Sequence, residues 1–160
     1  MANLRIEGFD GVDKLFKDLS NIDEIAIEAV NEAAPILEEC LKGAIEAAAD
    51  KGYATGELVN SIIARPAKKN RYGVFSAVGP VGTHSKRPHE REETSYAKEA
   101  AILEFGRNGG YAYYDKNNEC KMVTHQEPRP YRESAIKAAK ARCEETMEES
   151  VIRRLNEIII

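Results

Sequence analysis

One long apolar stripe constrains this chain more than any other feature. Over residues 22–48, apolar side chains recur every three or four positions, and most of the charged residues fall between them. This spacing predicts an amphipathic helix about 40 Å long, because a helix rises about 1.5 Å per residue. Pro35 lies inside it and predicts a bend, since proline removes a backbone hydrogen bond. The many alanines on the stripe permit a second element to approach closely.

Further helices are predicted from the same periodicity. A second long helix follows Pro130, a residue that suits a helix start because its missing N–H is not needed there. Shorter helices are expected at residues 12–19, directly after Thr55, and over residues 96–105, with Gly106 ending the last of these. The apolar stripe of the C-terminal helix comprises Ala135, Ile136, Ala139, Cys143, Met147, Val151, Leu155 and Ile158.

Two hairpins are expected between the helices. Residues 62–66 and 72–78 have the composition of strands, and the polar residues 68–71 suit the turn between them. Residues 111–114 and 121–124 form a second candidate pair around another polar turn. The predicted architecture is therefore α+β, with long amphipathic helices packed on one small antiparallel β-sheet. A chain of 160 residues fits a single domain of this kind.

The charge balance argues against a dedicated nucleic-acid binder. The formal net charge is -4, whereas such proteins usually carry a basic surface. Two local clusters would still suit phosphate contacts, or else be solvated turns. One comprises Lys68, Lys69 and Arg71, and the other comprises Lys86, Arg87 and Arg91.

The cysteines indicate a reducing compartment. Cys40, Cys120 and Cys143 are odd in number and widely spaced, which is unlike a disulfide framework. Cys40 and Cys143 fall on the two long apolar stripes and are predicted to be core thiols, while Cys120 lies near a turn. With no signal peptide pattern at the start and no apolar run of membrane-spanning length, synthesis in a cytosol is expected.

Residues 82–95 are predicted to form a mobile loop, because most of the segment is polar and of mixed charge. His84 and His89 lie in it, and with a neighbouring glutamate (Glu90, Glu92 or Glu93) they would suit a metal site of a hydrolase. The alternative is a solvated loop without a metal. Motifs of zinc proteases, nucleotide-binding loops and serine hydrolases are absent from the sequence, so no catalysis and no cofactor are expected.

Four short motifs, in order, resemble a family of neck and minor tail proteins of long-tailed bacteriophages. They are Gly8-Phe9-Asp10 with Leu15; Thr55-Gly56-Glu57-Leu58 with Ser61-Ile62; Tyr96-Ala97 with Glu104-Phe105-Gly106; and Pro128-Arg129-Pro130-Tyr131 with Ala135. The chain departs from the family pattern at Arg107, where threonine is usual, at Tyr131, where phenylalanine is usual, and at Glu133, where proline is usual.

The resemblance implies a virion structural protein, made in the bacterial host cytoplasm, that joins head to tail or completes the tail. It implies a homomeric ring, six-fold in the family, between head-completion or connector proteins and tail-terminator or tail-tube proteins. Non-specific contact with DNA in the channel is compatible with such a ring, and no membrane is involved. The alternative function is a small cytosolic binding or regulatory module without catalysis.

Stiff, apolar-tipped turns are the expected docking features. The candidate interface residues are Glu104, Phe105, Gly106, Arg107, Pro128, Pro130, Tyr131, Lys86, Arg87, Ile158 and Ile159. For Phe105 and Tyr131, packing within the chain's own core is the alternative to docking. The apolar C-terminal end is expected either to seal against a neighbour or to fray.

Overall fold

The structure, a computed structural model, describes residues 21–48, 56–84, 94–110, 112–114, 119–122 and 125–159. Its helices are α1 (Ile22–Ala48), α2 (Gly56–Asn60), α3 (Tyr96–Phe105) and α4 (Arg132–Ile159). Its strands are β1 (Ile62–Ala64), β2 (Lys68–Asn70), β3 (Gly73–Phe75), β4 (Val78–Pro80), β5 (Thr83–His84), β6 (Thr94–Ser95), β7 (Ala112–Tyr114) and β8 (Cys120–Met122). The helix predicted at residues 12–19 lies outside the described residues.

The two long helices pack against each other in antiparallel directions. Arg142 of α4 binds the carboxylate of Glu39 at 3.2 Å, and Arg154 binds Glu28 at 2.8 Å, so α4 runs back along α1. Alanines line the contact on both helices, and this permits the close approach that the sequence indicated. α1 continues through Pro35 without a break. The predicted α+β architecture is confirmed, with the strands paired in short antiparallel ladders rather than in one continuous sheet.

The buried face of α4 differs from the predicted stripe. Ala135 and Ala139 are buried, but Ile136 is exposed, and Ser150 is buried where Val151 was expected. The helical repeat of 3.6 residues explains the burial of Ser150 in place of Val151, because each step of four residues advances about 40° beyond a full turn. A stripe drawn at steps of four therefore drifts around the helix, and the residues facing α1 near its C-terminal end are different ones.

The main core lies where the C-terminal half of α1 meets α2, β1, α3 and the start of α4. Ile45 and Ile62 are its most completely buried large residues. The other buried members are Leu41, Leu58, Val59, Ala100, Leu103, Tyr131 and Ala135. No helix in the described part of the chain combines the length and apolar character needed to cross a membrane.

The first hairpin is longer than predicted, and its turn is tighter. β1 pairs with β4, and β2 pairs with β3 further out, so residues 68–70 are strand rather than turn. The turn is Arg71-Tyr72, where the Asn70 side chain accepts a hydrogen bond from the N–H of Tyr72 at 2.8 Å. Gly73 follows with a φ of 136°, which favours glycine. The polar residues of β2 suit this outer part because it is exposed on both faces.

The segment predicted as a mobile loop is ordered at both of its ends. β5 and β6 pair there, with Thr83 opposite Ser95 and His84 opposite Thr94. Residues 85–93 lie outside the described residues, and for them mobility stays a prediction. The second predicted hairpin is confirmed as the antiparallel pair of β7 and β8.

Glu38 joins α1 to the first hairpin. Its carboxylate accepts hydrogen bonds from the Lys42 ammonium at 2.6 Å and from the N–H of Ala64 in β1 at 2.7 Å. Both bonds favour the charged form, so they lower the pKa of Glu38 despite its partial burial.

A glutamate with a lowered pKa makes unfolding depend on pH. The stabilisation is fully present above the ordinary glutamate value of about 4.3 and is lost as the pH falls through the lowered value of the folded state. We expect Glu38→Gln to be less stable than the parent at neutral pH and to lose less stability between about pH 5 and pH 3. Urea unfolding at a series of pH values measures this. If the free energy of unfolding changed with pH in the same way for both proteins, the lowered pKa of Glu38 would be contradicted.

Candidate functional site

Two of the sequence motifs meet at the junction of α3 and α4. We call residues 104–107 and 126–132 the α3–α4 corner. One oxygen of the Glu104 carboxylate accepts hydrogen bonds from the N–H groups of Tyr131 at 2.9 Å and of Arg132 at 3.2 Å. α4 starts at Arg132, so Glu104 places a negative charge on the otherwise unpaired donors of that helix end. The end of one helix thus holds the beginning of the next.

Backbone hydrogen bonds hold the rest of the corner. The N–H of Arg129 donates to the carbonyl of Leu103 at 2.8 Å. Arg107 and Gln126 exchange two bonds, each 2.9 Å long, as an isolated antiparallel bridge. The segment that leaves α3 and the segment that enters α4 are therefore joined at three points, counting Glu104.

Gly106 permits this close approach. Its φ of 75° and ψ of -176° lie in a region that essentially only glycine adopts. A Cβ at this position would lie 2.6 Å from the carbonyl oxygen of Gln126 and 2.9 Å from the nitrogen of Pro128. Both neighbours are backbone atoms, so they have little freedom to move. The glycine of the Glu104-Phe105-Gly106 motif therefore has a structural role that the sequence alone did not assign.

The two aromatic residues of the corner differ in burial. Tyr131 is only 2% exposed and belongs to the core, so the alternative of own-core packing holds for it and it cannot serve as a docking tip. Phe105 is 67% exposed, and the guanidinium of Arg132 lies 5.7 Å from the centre of its ring. Pro128 and Pro130 are exposed beside it. Phe105 is thus an apolar tip on a rigid base.

The remaining candidate interface residues are not part of this corner. Ile158 is half-buried near the end of α4, and Ile159 is the last residue of that helix. Lys86 and Arg87 lie outside the described residues. The structure therefore brings together Glu104, Phe105, Gly106, Arg107, Pro128, Pro130 and Tyr131, whereas Ile158 and Ile159 lie at the other end of α4.

An apolar groove of about 320 Å³ lies next to the corner. Its lining residues include Leu37 of α1, Val78 of β4, and Tyr131, Arg132 and Ile136 around the start of α4. The sequence did not predict the groove, because it forms only where three elements distant in sequence lie side by side. Ile136, which was predicted to be buried against the other elements, is exposed and lines this groove.

His84 is buried, which corrects the prediction of a solvated histidine. Its side chain is about 2% exposed, and its Nε2 lies 2.9 Å from a carboxylate oxygen of Glu99. The ring also lies 5.9 Å from the ring of Tyr96. Pairing of β5 with β6 places His84 against α3, and this tertiary contact is invisible in the local composition.

The alternative of a metal site is not supported by the described residues. Within them, no group of three or more histidine, cysteine, aspartate or glutamate side chains is close enough together to hold a metal ion. His89, Glu90, Glu92 and Glu93 lie outside the described residues.

The cysteines are all free thiols. Cys40 and Cys143 are partly buried between α1 and α4, close to the predicted position in the core, and Cys120 is exposed. Burial raises the pKa of Cys143, which favours the protonated thiol and makes it a poor nucleophile.

Loss of the Glu104 carboxylate should destabilise the start of α4. We expect Glu104→Ala to lower the free energy of unfolding by about 1–3 kcal/mol, because two N–H groups lose their acceptor. Glu104→Gln keeps one acceptor oxygen, so its loss should be smaller. Urea unfolding followed by circular dichroism compares the two variants. Equal stability of Glu104→Ala and the parent would show that water replaces the carboxylate at no cost.

Comparison with known proteins gives no match: no family model, no curated protein and no solved structure is significantly similar to this chain.

Proposed function

We propose that the chain is a structural protein of the neck of a long-tailed bacteriophage, acting in head–tail joining or tail completion as one subunit of a ring. The proposal rests on the resemblance of its four motifs to that family. Its proposed location is the virion, and its proposed neighbours are a head-completion or connector protein on one side and a tail-terminator or tail-tube protein on the other.

The observation that carries the proposal is the α3–α4 corner. Two motifs of the resemblance, Glu104-Phe105-Gly106 and Pro128–Tyr131, are separate in sequence but in direct contact in the structure. The contact also gives each motif residue a physical role: an acceptor at a helix end, a glycine at a close approach, and two rigid prolines.

The exposure of Phe105 supports a docking role for this corner. A large aromatic side chain left in solvent on a rigid turn, with an arginine over its ring, has the composition typical of the energetically important residues of protein interfaces. Because backbone hydrogen bonds hold the turn, little conformational entropy would be lost when a partner covers it.

Head–tail joining in vitro tests the proposal. DNA-filled heads and free tails, both taken from particles that lack this subunit, are mixed with the purified chain, and joined particles are counted by electron microscopy. We expect joining only when the chain is present. Heads and tails that join equally well without it would overturn the proposal.

The solution mass distinguishes the proposal from the alternative of a small binding or regulatory module. Light scattering over a range of concentrations should detect a closed oligomer of the free chain or of the chain bound to its neighbouring ring. A chain that remains monomeric under both conditions, and that does not support joining, would favour the binding module.

A further inference from the structure

α1 contacts both the first hairpin and α4, through different residues. Asn31 and Glu38 are seven residues apart and therefore lie almost in line along the helix; they bind the backbone of Ala67 and Ala64 in the first hairpin, at 2.7 Å each. On another line, about 200° around the helix, α1 contacts α4. That second line contains Ala33 and Cys40, which contact Cys143 and Arg142. Among the described residues, the hairpin and α4 therefore pack on α1 along different lines of that helix.

The outer end of the hairpin is basic and aromatic. We call residues 68–75, which comprise β2, β3 and their turn, the hairpin tip. Tyr72 is 80% exposed at its end, with the Arg71 guanidinium 4.6 Å from the centre of its ring, and Phe75 is also exposed. Lys69 binds Asp23 of α1, whereas Lys68 has no ionic partner among the described residues. Two cations and two aromatic rings thus face solvent together.

The side of α4 that points away from α1 is acidic. Ala139 is buried on the α1 side, and Glu148 follows it by nine residues, which is about half a turn around the helix. We call Glu144, Glu145, Glu148 and Ile152 the outer face of α4; all four side chains are exposed. Glu145 and Glu148 form no hydrogen bond or ion pair within the described part of the chain. This face has an exposed isoleucine at one edge and uncompensated negative charge in its middle.

We infer that the hairpin tip of one copy docks on the outer face of α4 of the next copy; this inference rests on the proposed function, since it supplies the contact between ring subunits. The charges of the two surfaces are opposite, with Lys68 and Arg71 on one and Glu145 and Glu148 on the other. The surfaces are two different parts of the same molecule, so the contact is head-to-tail. Such contacts repeat from copy to copy and close into a ring when the rotation permits it.

A second copy fits the two surfaces better than DNA does. DNA phosphates would satisfy Lys68 and Arg71, but they would leave the exposed rings of Tyr72 and Phe75 and the acidic outer face of α4 unused. A neighbouring subunit uses all of them: aromatic and arginine side chains are enriched at protein interfaces, and opposite charges align the partners during encounter.

Charge reversal in separate chains tests the contact. In the first variant, Lys68→Glu and Arg71→Glu make the hairpin tip acidic. In the second, Glu145→Lys and Glu148→Lys make the outer face of α4 basic. Each variant alone then presents like charges to its own copies, whereas a mixture of the two presents opposite charges at every contact. Glu46→Lys with Glu57→Lys, at exposed positions of α1 and α2, is a control with the same change in net charge as the second variant.

We expect each variant alone to need at least about tenfold more protein than the parent for half-maximal assembly. The equimolar mixture should assemble again, with the two variants alternating and therefore with an even number of copies. The control should assemble like the parent. Parental assembly by either single variant, or failure of the mixture to assemble, would overturn the inference. So would a hairpin variant that loses DNA binding while its oligomeric mass stays unchanged.

Cross-linking tests the same contact if copies of the parental chain associate only weakly. Tyr72→Cys and Ile152→Cys are combined with Cys120→Ser, and the chain is oxidised with oxidised glutathione at high concentration. Disulfide-linked ladders should form, and they should be absent when Glu46→Cys replaces Ile152→Cys. Absence of ladders from both would overturn the inference. The proposed function is judged separately by joining of the parental chain: joining without any contact between copies would refute the inference alone, and no joining at all would refute the function.

Discussion

Replacement of Gly106 by alanine is expected to be the most destabilising single change in the α3–α4 corner, at about 3 kcal/mol or more. Two effects add. The backbone at Gly106, with φ of 75° and ψ of -176°, is unfavourable for any residue with a Cβ. The new Cβ would also lie 2.6 Å from the carbonyl oxygen of Gln126, a separation that requires backbone movement. Stability of a domain is about 5–15 kcal/mol in total, so this loss is a large share of it.

Gly110→Ala is the matched control for the backbone effect. Gly110 also has a positive φ, 91°, but nothing lies within 4 Å of a Cβ built there. We expect it to cost about 1 kcal/mol, which reports conformational strain alone. Urea unfolding of both variants gives the difference due to the close approach. Similar stabilities of the two variants would mean that the corner moves apart easily and is not rigid.

The helices could be predicted from the sequence because their signals are local. The stripe over residues 22–48 matches the bounds of α1, and Phe105-Gly106 marks the end of α3. The faces of the helices were less predictable. Val151 was assigned to the buried stripe of α4, and the burial of Ser150 in its place follows from the angular drift of a four-residue repeat over a long helix.

Features that depend on pairing between distant residues were missed. His84 lies in a polar stretch, and only the pairing of β5 with β6 and its contact with Glu99 of α3 explain its burial. In the first hairpin, the lysines of β2 resembled turn residues because this part of the hairpin has no buried face to demand apolar side chains. The composition of a strand reflects how much of it is buried. A strand pair that is exposed on both faces therefore has no apolar pattern by which it could be predicted.

The candidate site was predictable as a list of residues but not as an arrangement. The motifs named Glu104, Gly106 and Tyr131 together, yet their roles differ: an acceptor for a helix end, a point of close approach and a core residue. Phe105, between Glu104 and Gly106, is the aromatic residue of these motifs that is exposed at the corner. These different roles follow only from the tertiary contact between α3 and α4, which the sequence does not show.

Phe105→Ala should therefore separate docking from folding. Because the ring is mostly exposed, its removal should change the free energy of unfolding by less than about 1 kcal/mol, including the loss of the contact with Arg132. If the corner docks on a neighbouring neck protein, removal of a central aromatic should reduce joining about tenfold or more. The measurements are urea unfolding and the count of joined particles at limiting protein concentration.

Ile63→Ala is the control for loss of an exposed apolar side chain. Ile63 is 46% exposed on β1, outside both the corner and the hairpin tip. Ile63→Ala should leave joining unchanged. Because the Ile63 side chain is partly buried, the variant should nevertheless have a lower free energy of unfolding than the parent. Phe105 is more exposed than Ile63, so Ile63→Ala should cost more folding stability than Phe105→Ala. If joining depended on stability alone, Ile63→Ala would therefore reduce joining more. The opposite ranking is the expected result, since a docking residue is identified by an effect on assembly larger than its effect on folding. Equal joining by Phe105→Ala and the parent would remove the corner as the docking site.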